Sequence, residues 1–103
     1  MFDDSNPGDA RRYSAKWNLH RVHFFCDAPQ AQQVSLVGDF NYWNPMATPM
    51  VRQPDGRWMV SLELPHGYHE YVFLVDGKPV LDPNATGKTR NLLNKQVSLI
   101  SVS

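Results

Sequence analysis

An antiparallel β-sandwich is the fold class that this 103-residue sequence predicts, on three observations. Apolar residues recur with period two in several short runs. Turn-forming pairs such as Asp55-Gly56 and Asp76-Gly77 separate those runs, and no long stretch shows the helical period of about 3.6 residues. Six or seven such runs in a chain of this size suit two packed sheets around one core.

The elements follow in chain order. Residues 1–14 carry Asp, Ser, Asn, Pro and Gly with few apolar side chains and predict a flexible arm, with the β-sandwich domain over residues 15–103. Met1 and this polar arm are compatible with a free-standing chain. The first strand sets His20, Val22, Phe24 and Cys26 against Leu19, Arg21, His23 and Phe25, and Asp27 with Pro29 ends it. QQVSLV, from Gln32 to Val37, is the second. RWMVSLEL, from Arg57 to Leu64, places Trp58, Val60 and Leu62 on one face and Met59, Ser61 and Glu63 on the other. In YHEYVFLV, Tyr71, Phe73 and Val75 share one face, and Glu70, Val72 and Leu74 share the opposite one. Asp76-Gly77 then predicts a hairpin turn with positive φ at both positions. KPVL is a short strand, Asp82-Pro83-Asn84 and Gly87 mark a loop, and QVSLISV is the closing strand.

Ten basic residues balance ten acidic ones, so net charge draws the chain toward neither nucleic acid nor an anionic membrane. No apolar run approaches the roughly 20 residues that span a bilayer, and MFDDSNPGDARR lacks the basic-then-apolar order of a signal peptide. A cytoplasmic location is the expectation. The single cysteine, Cys26, sits in the apolar run VHFFC and reads as a buried, inert thiol.

Catalysis by a carboxylate pair or by a nucleophile and its base requires converging groups in a cleft. Asp39, Glu63, Glu70, Asp76 and Asp82 are instead scattered over turns and strand faces, as turn formers and surface charges are. His20 and His23, like His66 and His69, superficially suggest H-x-x-H metal sites, but strand residues three apart point to opposite faces. GKT at residues 87–89 lacks the spacing and the strand-to-helix setting of a phosphate loop. Neither a metal nor a cofactor is expected.

An aromatic group remains: Phe40, Tyr42 and Trp43, with Trp17 and Trp58 elsewhere in the chain. Sugars present flat C–H faces beside a rim of hydroxyls, so their sites need an exposed aromatic platform flanked by amide or charged groups. FNYWN supplies both. Trp58 reads as core because it is in register with Val60 and Leu62, and Phe40 reads as a plug at the end of the sandwich.

The order VSLVGDFNYWNP, then DGRWMVSLELPHGYHEYVFLVDG, then DPN resembles the family-48 carbohydrate-binding module. That family includes the glycogen-binding domain of AMP-activated protein kinase beta subunits and the N-terminal domain of isoamylases, pullulanases and branching enzymes. The likeness runs from about Val22 to Val102, and its most specific pieces are G-D-F-N-x-W-N and the Y-x-F-x-V-D-G hairpin. It implies an early-set immunoglobulin-like sandwich that binds α-1,4-glucans such as glycogen, starch or maltooligosaccharides without hydrolysing them. Trp43 matches the first aromatic platform of the family's site, and Asn41 with Asn44 matches its polar flank. Val72 stands where glucan-binding members often have lysine, Lys78-Pro79 where a second tryptophan follows the turn, and Gln96 or Val97 where an asparagine is usual. Binding is therefore expected to be weakened, with Lys78 and Asn91 as candidate replacement donors. An alternative reading is a module that has lost its sugar site and docks onto a glycogen-processing enzyme or a kinase through the Val72 and Leu74 face.

Overall fold

The computed structural model describes residues 19–103. The expected arm over residues 1–14 and Trp17 lie outside the described residues. Two antiparallel sheets form the domain. The smaller has the order β1-β4-β3, from β1 (Leu19–Asp27), β4 (Arg57–Pro65) and β3 (Val51–Arg52). The larger has the order β2-β5-β8-β7, from β2 (Val34–Gly38), β5 (Gly67–Val75), β8 (Gln96–Val102) and β7 (Gly87–Arg90), and β6 (Lys78–Val80) also pairs with β5. Among the described residues no helix is long and apolar enough to cross a membrane.

The alternation in the sequence becomes the division between core and surface. Phe24 and Cys26 from β1, Trp58 and Leu64 from β4, Val34 and Leu36 from β2, and Tyr71 and Phe73 from β5 are buried together between the sheets. Phe24 meets Tyr71 edge-on at 5.0 Å between ring centroids, a favoured arrangement of aromatic quadrupoles. Trp58 is a core residue, as its register implies, and its indole N–H donates to the Ala28 carbonyl at 2.9 Å. Phe40 packs against this core 6.1 Å from the Phe24 ring, as a plug at the end of the sandwich should.

The Asp76-Gly77 turn has φ of 49° and 84°, the doubly positive geometry that matches the twist of the flanking strands. Asp76 does more than turn the chain. Its carboxylate accepts the Gln32 and Gln33 amides, each at 2.9 Å, and so fixes the entry to β2.

Two strands differ from the sequence expectation. GKTR at 87–90, expected as loop, is the edge strand β7, paired with β8 from Gly87↔Leu99 to Arg90↔Gln96. An edge strand with one pairing partner needs no apolar alternation, so its pattern is polar. Strand β3 has two exposed residues, too few for any periodicity to register.

Candidate functional site

The side chain of Trp43 is set by the loop that follows β2. Gly38 ends that strand, and a Cβ there would lie 2.5 Å from the Glu70 carbonyl and 2.6 Å from the Phe40 ring, so only glycine lets these segments approach. A 3-10 turn, Asp39–Asn41, comes next. Tyr42 and Trp43 then take left-handed backbone conformations in succession, with φ of 58° and 57°. Such geometry is rare for aromatic residues and costs about 1–2 kcal/mol per residue.

The bonds that hold this strained pair come largely from Asn41. Its side-chain oxygen accepts the Gly38 amide at 3.0 Å, and its Nδ2 donates to the Leu36 carbonyl at 2.9 Å and to Thr48 Oγ1 at 3.0 Å. The Trp43 amide donates back to the Gly38 carbonyl at 2.9 Å. Asn41 therefore locks the loop from inside, and both donor hydrogens of its amide are engaged.

The loop delivers Trp43 to the outer face of the larger sheet. There Val37, Val72 and Val97 form a second buried apolar cluster, and Trp43, Leu74 and Leu81 pack against it half-buried. The cross-strand pair Val37↔Val72 supplies its base. The indole thus has one side on an apolar shelf and the remainder open to solvent. Neighbouring Tyr42 is 93% exposed.

The other expected site residues are distributed unevenly about this ring. Asn44 is exposed two residues before Met46, whose amide its side-chain oxygen accepts at 2.9 Å. Lys78 pairs with Val75, a core-facing residue, so Lys78 lies on the parity opposite to the Trp43 face. Pro79 pairs with Leu74 and does share that face. Asn91 closes the β7–β8 connection: its side-chain oxygen accepts the Leu93 and Lys95 amides, each at 3.0 Å. That connection exposes Leu92 and Leu93. Tyr42 belongs to the aromatic group that the sequence singles out, whereas Leu92 and Leu93 carry no sequence expectation; their adjacency inside a turn-rich segment is the signal that could have found them.

The carboxylates have structural occupations. Asp39 accepts the Glu70 amide at 3.0 Å, Glu63 faces Arg21 at 3.4 Å, and Asp82 accepts the Tyr71 hydroxyl at 2.6 Å and the Asn84 amide at 2.8 Å. Burial, then hydrogen bonding to the Asp82 carboxylate, pushes the Tyr71 hydroxyl far above its ordinary range. A cleft of about 460 Å³ opens at the side of the sandwich, lined by Phe25, Cys26, Phe73, Asp82 and Lys88 among others. It does not include Trp43. Burial, with Asp82 and Asp27 adding to it, pushes the Cys26 thiol up to about 11, so nothing there generates a thiolate nucleophile near neutrality.

Comparison with known proteins agrees with the β-sandwich fold. The family model described as carbohydrate-binding module 48 (isoamylase N-terminal domain) matches residues 11–92. The 1,4-alpha-glucan branching enzyme GlgB 2 of Xanthomonas campestris pv. campestris is 31% identical over 86 residues, 81% of this chain and 12% of that enzyme. The branching enzyme GlgB of Aquifex aeolicus is 55% identical over 49 residues, 45% of this chain and 8% of the enzyme. That of Lactobacillus acidophilus is 44% identical over 63 residues, 56% of this chain and 10% of the enzyme. The chain thus spans only a small part of the length of these relatives. With a sandwich fold, an aromatic loop on its sheet face and a family match over most of its length, the chain belongs to carbohydrate-binding module family 48.

Proposed function

We propose that the domain is a non-catalytic α-glucan-binding module whose site is the Trp43 platform on the outer face of the larger sheet. The observation that carries this reading is the half-buried indole placed on the Val37, Val72 and Val97 shelf by a strained loop that the Asn41 side chain hydrogen-bonds from inside. A rigid flat ring stacks on a sugar face with little ordering cost. In this reading Trp43 stacks, Asn44 bonds the hydroxyl rim, and Asn41 acts only through the loop. Lys78 faces away from the ring, and Asn91, on the β7–β8 connection, takes no part in this reading.

The affinity is low. Val72 and Pro79 both lie on the Trp43 face, where the family resemblance puts a lysine and a second stacking tryptophan, and neither replaces those groups. Aromatic stacking of nucleobases contributes about 1–3 kcal/mol per platform, and a missing sugar platform on that scale weakens binding by roughly one to two orders of magnitude. Electrophoresis through gels containing glycogen tests the function: retardation of the wild-type domain is expected, and unchanged mobility with no response to maltoheptaose would contradict it.

A second reading, docking of a protein partner on the same face, is favoured by Leu74 and Leu81, which extend the apolar surface beside Trp43. Substituting Leu74 with Asp would abolish such docking. In the glucan reading that change leaves the Trp43 contacts in place.

A further inference from the structure

His69 lies on the inner face of β5 and caps the end of the core beneath Phe40, with ring centroids 6.3 Å apart. Both its ring nitrogens face oxygens that can only accept a proton. Nδ1 is 3.3 Å from Asp39 Oδ1, and Nε2 is 2.9 Å from the Pro65 carbonyl. A neutral imidazole carries one N–H and can serve only one of these acceptors. The doubly protonated ring serves both.

Asp39 is the first residue of the 3-10 turn that carries the chain to Trp43. Its second oxygen accepts the Glu70 amide, so the carboxylate is already oriented toward the β4–β5 hairpin. The recess around the ring is lined by Asp39, Phe40, Glu63, Leu64, Pro65 and Tyr68. Its charged groups are Asp39 from the loop and Glu63 from β4, which faces Arg21 on β1. Tyr68 lines the rim of the recess and is exposed, Glu70 alternates to the opposite face of β5, and His66 lies exposed in the adjoining turn.

We propose that His69 is a positioning residue for the Trp43 loop: its doubly protonated ring bridges Asp39 and Pro65 and holds the loop in its binding geometry, and loss of the Nδ1 proton releases the Asp39 end. The shorter contact to Pro65 retains the remaining proton. The loop is therefore held more tightly when the ring carries both protons than when it carries one. The consequence for sugar rests on the glucan-binding reading above; the latch itself does not.

The test follows amide and indole resonances of the sugar-free domain from acid to alkaline pH. In the wild type, the Asp39 and Trp43 signals follow the titration of the His69 ring. In His69→Gln they are flat. Asp39→Asn supplies a sharper variant: its amide oxygen faces the Glu70 N–H, its NH2 donates to an unprotonated Nδ1, and the contact now forms with the neutral ring. The pH response of Trp43 then reverses in sense. Should His69→Gln fail to fold, that reversal decides the matter alone. Trp43 signals that respond to pH in His69→Gln as in wild type, or in the unreversed sense in Asp39→Asn, overturn the proposal.

Maltoheptaose titration adds the functional readout. The dissociation constant of the wild type rises about three- to fivefold from the acid to the alkaline side, the scale of a partly exposed ion pair, and is flat in His69→Gln. An affinity that ignores pH while the resonances follow the ring overturns the control of binding. Absence of maltoheptaose binding at every pH removes the glucan reading, while the sugar-free resonances still decide the latch.

Discussion

The side-chain oxygen of Asn41 accepts the Gly38 amide at 3.0 Å, while the Gly38 carbonyl accepts the Trp43 amide at 2.9 Å. This reciprocal arrangement makes Asn41 the clamp that holds two successive left-handed residues. Asn41→Ala is expected to destabilise the domain by about 1–3 kcal/mol, because the Leu36 carbonyl and its neighbours lose a part-buried partner. Asn41→Asp keeps the bond to Gly38 but cannot donate to Leu36 or Thr48, and should also destabilise. Urea melts measure both. Wild-type stability in either variant would refute the clamp.

Gly38→Ala is expected to be more damaging than its size suggests. The new methyl meets the Glu70 carbonyl and the Phe40 ring inside van der Waals contact, so β2 must shift or Phe40 must leave the core. An overpacking cost of about 1–3 kcal/mol follows, accompanied by displaced resonances for Phe40 and Trp43. A melt unchanged from wild type would show that the approach is looser than described.

Restoring the two absent groups should strengthen sugar binding. Pro79 lies beside Leu74 on the platform face, so Pro79→Trp adds a second aromatic surface to that face. A gain of roughly tenfold in maltoheptaose affinity is expected, on the scale of one stacking platform. Val72→Lys should add a smaller gain with some loss of stability. Its residue is 7% exposed, and the ammonium must reach water along the sheet face. Isothermal titration compares the variants. No gain from Pro79→Trp would dissociate this face from glucan.

Alkaline conditions should destabilise the domain. Burial raises the Cys26 thiol from 9.0 to about 11, and burial with the Asp82 contact raises the Tyr71 hydroxyl from 10.0. Both groups hold their protons more tightly in the fold than in the unfolded chain. Unfolding therefore releases protons at high pH, and stability is present in full below the unfolded values and lost as pH rises. The loss begins near pH 9.0 and continues through about 11 for the thiol. In Cys26→Ala the lower part of this loss disappears. A melting temperature of the wild type that holds steady across that range would contradict the burial of these protons.

The strands with a buried face were legible because alternation is what one-sided burial imposes: Trp58, Val60 and Leu62, and Tyr71, Phe73 and Val75, all pack toward the core. The hairpin at Asp76-Gly77 was legible because few residue pairs accept positive φ twice. Strand β7 was hidden because an edge strand need not be apolar. At the site, Trp43 could be singled out by its presence in a turn-rich segment, but its shelf could not. Val37, Val72 and Val97 come from three strands and meet only through register. The inward engagement of Asn41 was equally concealed, since an amide in a loop reads the same whether it faces sugar or backbone. Likewise, the separation of Lys78 from Pro79 onto opposite faces depends on the pairing of β6 with β5.

The central claim is that the Trp43 ring itself is the glucan platform. Trp43→Ala alone would confuse two effects, because the ring also covers the valine cluster. Trp43→Leu keeps apolar cover on the shelf while removing the flat surface. Maltoheptaose titration followed by amide shifts should show saturable binding to the wild type and at least about a tenfold loss in Trp43→Leu, with the fold retained. Equal affinity in the two proteins would contradict the account.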